Sequence, residues 1–354
     1  MSVVVGFDSH KDSLAGCAVD EVGRPLGYRS FVNTAVGHVQ ALRWVESLDA
    51  GLAAIEGSGS YGRVLALALM EAGIDVVEVP PQMTARARRS QRSRHKSDPT
   101  DALLVARVGA REHDLGSPRP PGALEDLRTL VFYRREQVSC RTREANRLHA
   151  DLTLLRPGYQ QRIKTKLTRP QALSQVMRLL SGDRTIRAQV ARRRVATIRR
   201  LITRIAELDQ QIADLVQATG GETLTEVYGI STIGAGEILA EVGNPTRYPT
   251  KARFATANGT APLQASSGRI SRHRLNRGGN RRLNRTIHIA ALTQIRRPGT
   301  EGRLYYDRLQ ARGKTKQEAI RILKRRISDR IWTQLQHLST TPTGVPPGGR
   351  TFPQ

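Results

Sequence analysis

Two short apolar runs end in a carboxylate: VVVGFD closes on Asp8 and LAAIE closes on Glu56. Two more acids, Asp98 and Asp101, stand three residues apart in KSDPTD, a spacing that sets both on one face of a helix's first turn. Carboxylates gathered at one place repel unless cations lie among them. Hard divalent ions take oxygen ligands, and two of them about 3.5 to 4 Å apart activate a nucleophile and steady the leaving oxygen of an in-line displacement at phosphorus. The chemistry open to Asp8, Glu56, Asp98 and Asp101 is therefore metal-dependent cleavage or transfer of a phosphodiester. Mg2+ is the expected ion, as a pair, with Mn2+ able to substitute. Each acid also has an ordinary reading, Asp8 and Glu56 as turn residues, Asp98 as a helix N-cap before Pro99, and Asp101 as a first-turn carboxylate. His10 and His95, near these acids in sequence, read as surface or phosphate contacts before they read as metal ligands.

The elements that must position these residues are legible from patterning. LAGCAV (14 to 19), a run near 26 to 32 and IDVVEV (74 to 79) join the two acid-terminated runs as strands. Residues 36 to 47 and 61 to 72 carry apolar side chains at helical spacing. Three early strands followed by alternating helix and strand predict an α/β domain of RNase H-like order over residues 1–115. The Gly57 to Gly62 segment after Glu56 is built of small residues and leaves room for a large ligand. A second region, 123–218, holds long helical patterns at 123 to 155 and 187 to 217. In the latter Ile198, Leu201, Ile205, Leu208, Ile212 and Leu215 alternate steps of three and four, the seam of a helical hairpin or coiled coil, with dimerisation through it a further expectation. A mainly helical region, 219–335, opens with a helix-hairpin-helix-like pattern in which Gly229 and Gly234 precede an apolar helix; an ordinary helix-turn-helix joint fits the same pattern. The end, 340–354, is rich in Pro and Gly and is expected to be disordered.

Charge says what the chain touches. Lys and Arg number 57 against 31 Asp and Glu, a net charge of +26, which favours a polyanionic partner such as nucleic acid. Residues 1 to 80 run the other way, with five basic residues against ten acids. An acidic module in a basic chain is suited to holding cations while the rest grips phosphate. The two cysteines, Cys17 and Cys140, have no metal-ligand spacing and indicate no disulfide framework. No membrane span or signal peptide is apparent, so the expected setting is the cytoplasm, with nucleoid association when bound to DNA.

Read together, GFDSHK around Asp8, IEGSG around Glu56, KSDPTD around Asp98 and Asp101, and APLQASSG ending at Gly268 resemble the DEDD transposases of bacterial insertion sequences, the insertion sequence one-ten family. The likeness spans about residues 1 to 335. It implies a RuvC-like N-terminal domain of RNase H fold whose acidic tetrad is Asp8, Glu56, Asp98 and Asp101. It also implies a second centre in the C-terminal domain, where a serine attacks DNA to form a covalent phosphoserine intermediate. By motif position that serine is Ser267, with Ser266 the open alternative. Arg269, Arg272, Arg274 and Arg277 are set to neutralise the attacked phosphate, and Lys11 to contact nucleic acid beside the tetrad. The resemblance further implies a structured bridge RNA that pairs with target and donor DNA, and a homo-oligomer assembling from dimer to tetramer. An aromatic content of 4 % agrees with a protein that holds backbones and leaves sequence reading to base pairing. Two other functions share these features: an RNase H-fold junction-resolving nuclease in which Ser267 only binds, and a non-enzymatic nucleic-acid-binding protein in which the acids are caps and turns.

Overall fold

The N-terminal apolar runs alternate sides as strands must, and the structure, a computed structural model, describes residues 3–89, 98–113, 115–264, 273–276 and 278–340. The chain divides into two units, 1–120 and 121–354.

In the first unit β1 (Val4–Ser9), β2 (Ser13–Val19) and β3 (Pro25–Val32) form an antiparallel meander, followed by α1 (Ala35–Ser47), β4 (Leu52–Glu56), α2 (Arg63–Glu71), β5 (Asp75–Val79), α3 (Pro81–Arg89) and α4 (Asp98–Arg111). The sheet order is β3-β2-β1-β4-β5, with β4 and β5 parallel to β1. That order and those directions give the expected RNase H-like arrangement. β1 is central and buried from Val4 to Asp8 because both faces of the sheet are covered. Phe7, Leu14, Phe31, Trp44, Leu65 and Leu69 fill one side. On the other, Val4, Ala15 and Cys17 meet Ala102 and Ala106 of α4.

Glycine fixes how closely α4 lies on the sheet. A Cβ on Gly6 would stand 2.1 Å from the Ala106 nitrogen, and one on Gly109 would stand 2.4 Å from the Ala54 Cβ. Gly109 sits over Val4 and Ala54 and Ala106 over Gly6, so α4 runs against the direction of β1 and brings its N-terminal turn to the end where Asp8 lies.

The second unit begins with α5 (Ala123–Leu155), then α6 (Pro170–Leu179), α7 (Ile186–Ala218), α8 (Thr232–Val242), α9 (Lys251–Ala257), a hairpin of β6 (Pro262–Gln264) and β7 (His273–Leu275), α10 (Arg281–Arg296), α11 (Glu301–Ala311) and α12 (Lys316–Thr340). α5 and α7 pack antiparallel: Arg134 pairs with Asp209 near one end, and Arg194 with Glu144 and Asp151 near the other. The α7 seam buries Ala191, Val195, Ile198, Ile205, Leu208, Ile212 and Val216. Leu201 and Leu215, expected in the seam, are only partly covered; one residue on, Val216 is buried and Ile202, itself partly covered, packs against the tip core. The seam is thus filled by α5 of the same chain. At the root of the pair Leu127, Val131, Ile212 and Val216 join the core of α8, α10 and α12. At the tip Leu148, Leu152, Leu173, Val176, Val195 and Ile198 form a separate core with α6.

The joint before α8 has a 3-10 turn at Gly221–Glu226 as its first partner, not an α-helix. Gly229 (φ +90°) lets the chain press against α10, where a Cβ would meet the Ala290 carbonyl oxygen at 2.8 Å. Among the described residues no helix is long and apolar enough to cross a membrane.

Candidate functional site

Asp8 and Glu56 are direct neighbours. The parallel register pairs Val4 with Leu52 and ends with Asp8 opposite Glu56, so both carboxylates leave the same end of adjacent central strands. Asp8 is 8 % exposed, and His10 Nε2 lies 3.3 Å from its Oδ2. Asp101, 5 % exposed, stands in the first turn of α4 over this strand end. Asp98 is the first residue of α4, and its side chain lies outside the described residues, as does His95. Lys11 is exposed in the β1–β2 turn.

Two residues of α3 complete the cluster, and neither was expected. Arg88 donates to Asp101 Oδ1 from Nε at 3.1 Å and from Nη2 at 2.6 Å. Thr84, four residues earlier and hence on the same helix face, is buried; its hydroxyl lies 3.0 Å from the Pro81 carbonyl and also within reach of Glu56. Burial pushes the Glu56 carboxyl above the ordinary carboxylate range. The Thr84 hydroxyl and Arg88 pull it down, while the negative charges of Asp8 and Asp101 raise it further. The sequence carried a signal for this pair in the four-residue spacing of Thr84 and Arg88, but the surrounding run of arginines masks it as a solvated face.

The loops at this strand end are tied together by Asn33, whose Nδ2 donates to the carbonyls of His10 at 2.8 Å and Tyr61 at 3.0 Å and whose Oδ1 pairs with His38 Nε2 at 2.6 Å. Gly62 allows the second loop to pass Ser9, since a Cβ there would meet Ser9 Oγ at 2.5 Å. Among the described residues, the buried hydroxyls of Ser9 and Ser58 have no hydrogen-bond partner.

The donor set of Asp8, Glu56 and Asp101 suits a hard divalent cation: all ligands are carboxylate oxygens, and their mutual repulsion is expressed in Glu56. Among the described residues, however, no three His, Cys, Asp or Glu side chains stand together as a metal-holding group. The Asp101 carboxylate is held by Arg88.

In the second unit Ser266, Ser267, Arg269, Arg272 and Arg277 lie outside the described residues, and of Arg274 only its backbone position in β7, opposite Leu263, is described. The base of that hairpin is built from polar side chains. Asn258, fully buried, accepts from Thr260 N and Oγ1 at 3.1 and 2.7 Å and donates to Ser328 Oγ at 2.8 Å. Its carbonyl accepts from Asn284 Nδ2 at 2.8 Å, and Asn284 Oδ1 accepts from Lys324 Nζ at 2.6 Å. Burial lowers the Lys324 ammonium pKa below its usual value, with Arg321 adding to the effect. Gly259 (φ +73°) and Gly279 touch where the chain returns from the hairpin. On the flank Glu241 receives Asn280 at 2.8 Å, Arg135 at 3.1 Å and Arg282 at 3.2 Å.

Comparison with known proteins bears on both units. A transposase family, the DEDD type of IS110, matches residues 5–157, and the family described as Transposase IS116/IS110/IS902 matches residues 221–307. The 44.8 kDa protein of insertion element IS116 from Streptomyces clavuligerus is 26 % identical over 94 % of each chain. The 43.6 kDa protein of insertion element IS110 from Streptomyces coelicolor is 26 % identical over 78 % of this chain and 80 % of its own. The pilin gene-inverting protein of Moraxella lacunata is 22 % identical over 91 % of this chain and 92 % of its own. Among solved structures, Thermus thermophilus RuvC in complex with a Holliday junction substrate aligns with 30 % of this chain and 90 % of its own, at 17 % identity and a TM-score of 0.25.

Proposed function

We propose, from the premise that this chain belongs to the IS110 family of transposases, that it cuts, exchanges and rejoins DNA strands at two centres, one metal-bound and one serine-based. It is a DNA transposase; the two-centre mechanism is the reading offered for it. The observation that carries the reading is the pairing of Asp8 with Glu56 on neighbouring parallel strands, with Asp101 set over them by α4.

In this reading Asp8, Glu56, Asp98 and Asp101 hold Mg2+, most simply as two ions, and the metal supplies Lewis-acid activation at the phosphodiester. Asp8 and Glu56 are fixed by the sheet. Asp101 is held ready by Arg88, which leaves its carboxylate when cation or phosphate arrives. The unpartnered Ser9 and Ser58 hydroxyls offer further oxygens to a hydrated ligand. Lys11, exposed beside Asp8, meets the nucleic-acid backbone.

Ser267 is the proposed nucleophile: its Oγ attacks a backbone phosphorus, the P–O bond to the leaving 3′ or 5′ oxygen breaks, and that oxygen takes a proton as the phosphoserine forms. Arg269, Arg272, Arg274 and Arg277 balance the charge on the attacked phosphate. The polar frame of Asn258, Asn284 and Lys324 fixes the base of the hairpin whose connection carries the serine. A structured RNA pairing with target and donor DNA supplies the sequence choice, and a tetramer brings the centres of different copies to one junction.

The test is incubation with element-junction DNA, the flanking-encoded RNA and Mg2+, scoring products and covalent protein–DNA adducts for wild type, Ser267→Ala, Ser266→Ala and Asp8→Ala. Adducts and recombinants from wild type and Ser266→Ala alone support the reading. Recombination by Ser267→Ala moves the nucleophile to Ser266 or to water, and hydrolysis without adducts in every protein makes this a nuclease.

A further inference from the structure

Half of the chain's net charge sits in one place. Residues 156–206, from the end of α5 through α6 and most of α7, contain fourteen Lys and Arg against a single acid, Asp183. They account for +13 of the total +26. This stretch surrounds the separate core at the tip of the α5–α7 pair, and most of it lies between the two family matches, which end at 157 and resume at 221.

A few of these cations have structural work. Arg156 pairs with Asp183, Arg192 donates to the carbonyls of Leu180 and Asp183, and Arg187 and Arg194 pair with Asp151. The others do not. Arg162, Lys164, Lys166 and Arg169 are exposed in the segment leading into α6, and Arg193 and Arg200 are exposed seven residues apart on one stripe of α7. Among the described residues none of these six is within ion-pair distance of an acid.

Like charges this dense destabilise a small tip unless a polyanion neutralises them. The chemistry of the surface also selects the polyanion. The one aromatic residue between 156 and 206, Tyr159, is buried with its hydroxyl against His149, so nothing exposed there can stack on an unpaired base. A surface of Lys and Arg without aromatics grips duplex backbone and is indifferent to sequence. The tip also stands out from its root on helices of 33 residues, about 50 Å long.

We propose that the α5–α7 tip is a phosphate clamp for double-stranded DNA, binding duplex without regard to sequence at a distance from the root of the helical pair. It rests on the chain acting on DNA, not on either catalytic centre. Binding is therefore measured in EDTA, where loss of the metal or serine chemistry leaves the result unmoved.

The experiment uses the full chain and a 60-base-pair duplex, followed by fluorescence anisotropy over a range of salt. Two variants are compared with wild type: Arg162→Gln with Lys164→Gln and Lys166→Gln, and Arg193→Gln with Arg200→Gln. Neutralising one phosphate-binding cation lowers the slope of log K against log salt by about 0.9, and costs about eightfold in affinity at ~0.1 M salt. The triple variant is expected to drop by up to about 2.7 in slope and the double by up to about 1.8. A control replacing Arg193 and Arg200 by Lys keeps the charge and the wild-type slope. Wild-type slopes in both neutralised variants overturn the proposal, and so does a control that fails as badly as the neutralised protein. Unchanged duplex binding with abolished binding of a structured RNA hairpin also overturns it and assigns the tip to RNA.

Discussion

Gly6→Ala tests whether the acidic site depends on the height of α4 above the sheet. Gly6 is an ordinary strand position with no positive φ, so alanine is tolerated by the backbone and acts only through its added carbon. That carbon would lie 2.1 Å from the Ala106 nitrogen, 2.5 Å from its Cα and 2.7 Å from its Cβ. Ordinary contact begins at 3.4 Å, so α4 must lift by about 1.3 Å in a close-packed interior. The cost is about 1 to 3 kcal/mol of stability. Asp101 rides on α4, and displacement of a positioned group by about 1 Å costs on the order of a hundredfold in rate. Denaturant melts and strand-exchange assays on junction DNA read the two effects. Gly51→Ala, which meets nothing within 4 Å, is the silent control. Adding Ala106→Gly removes only the 2.7 Å approach and leaves the backbone clashes, so it does not rescue. A Gly6→Ala protein with wild-type stability and wild-type exchange refutes the reasoning, as does full rescue by Ala106→Gly.

Other outcomes follow from the charges. Because the folded pKa of Glu56 is raised, the native state keeps its proton when the unfolded chain has lost it, and stability falls as pH rises from the ordinary Glu range through the folded value. Metal-free Glu56→Gln should therefore melt above wild type at neutral pH and match it in acid, yet show no cleavage and no stabilisation by Mg2+. Arg88→Ala leaves Asp101 without its guanidinium; calorimetric titration with Mn2+ should give tighter binding than wild type, while the metal-free melt falls. Lys324, with its pKa lowered by burial, gains stability as pH rises from its folded value toward the usual Lys range. In Lys324→Met that alkaline gain, read from urea melts, should vanish.

The strands of the first unit could be read because apolar runs closed by acids leave few alternatives for a buried central strand, whereas the adjacency of Asp8 and Glu56 is set by the strand register. The order β3-β2-β1-β4-β5 followed from three early strands and then alternation. Arg88 could not be read as a site residue, because whether an arginine faces solvent or a carboxylate depends on a packing angle that its own helix does not encode. The small shift of the α7 seam, from Leu215 to Val216, has a similar origin. Two phases of a three-four repeat fit the sequence, and α5 decides between them. The hairpin base was invisible for a different reason: Asn258 from the end of α9, Asn284 from α10, and Ser328 and Lys324 from α12 lie up to 70 residues apart, and each alone is an ordinary surface residue.

Between Val131 and Ala145 no residue of α5 is fully buried, and opposite them α7 buries only Ile205 and Leu208, so the apolar core at the root and the one at the tip are joined by a thin waist. A chain that leaves through one helix and returns through its antiparallel partner places the two cut points of such a waist side by side. The outer portion is thus a cassette: it can be shortened, lengthened or exchanged in one event without retuning the root. Transposons that move between hosts meet new DNA-packaging proteins and salt conditions, and here the charge that answers to them can be changed apart from the machinery that cuts.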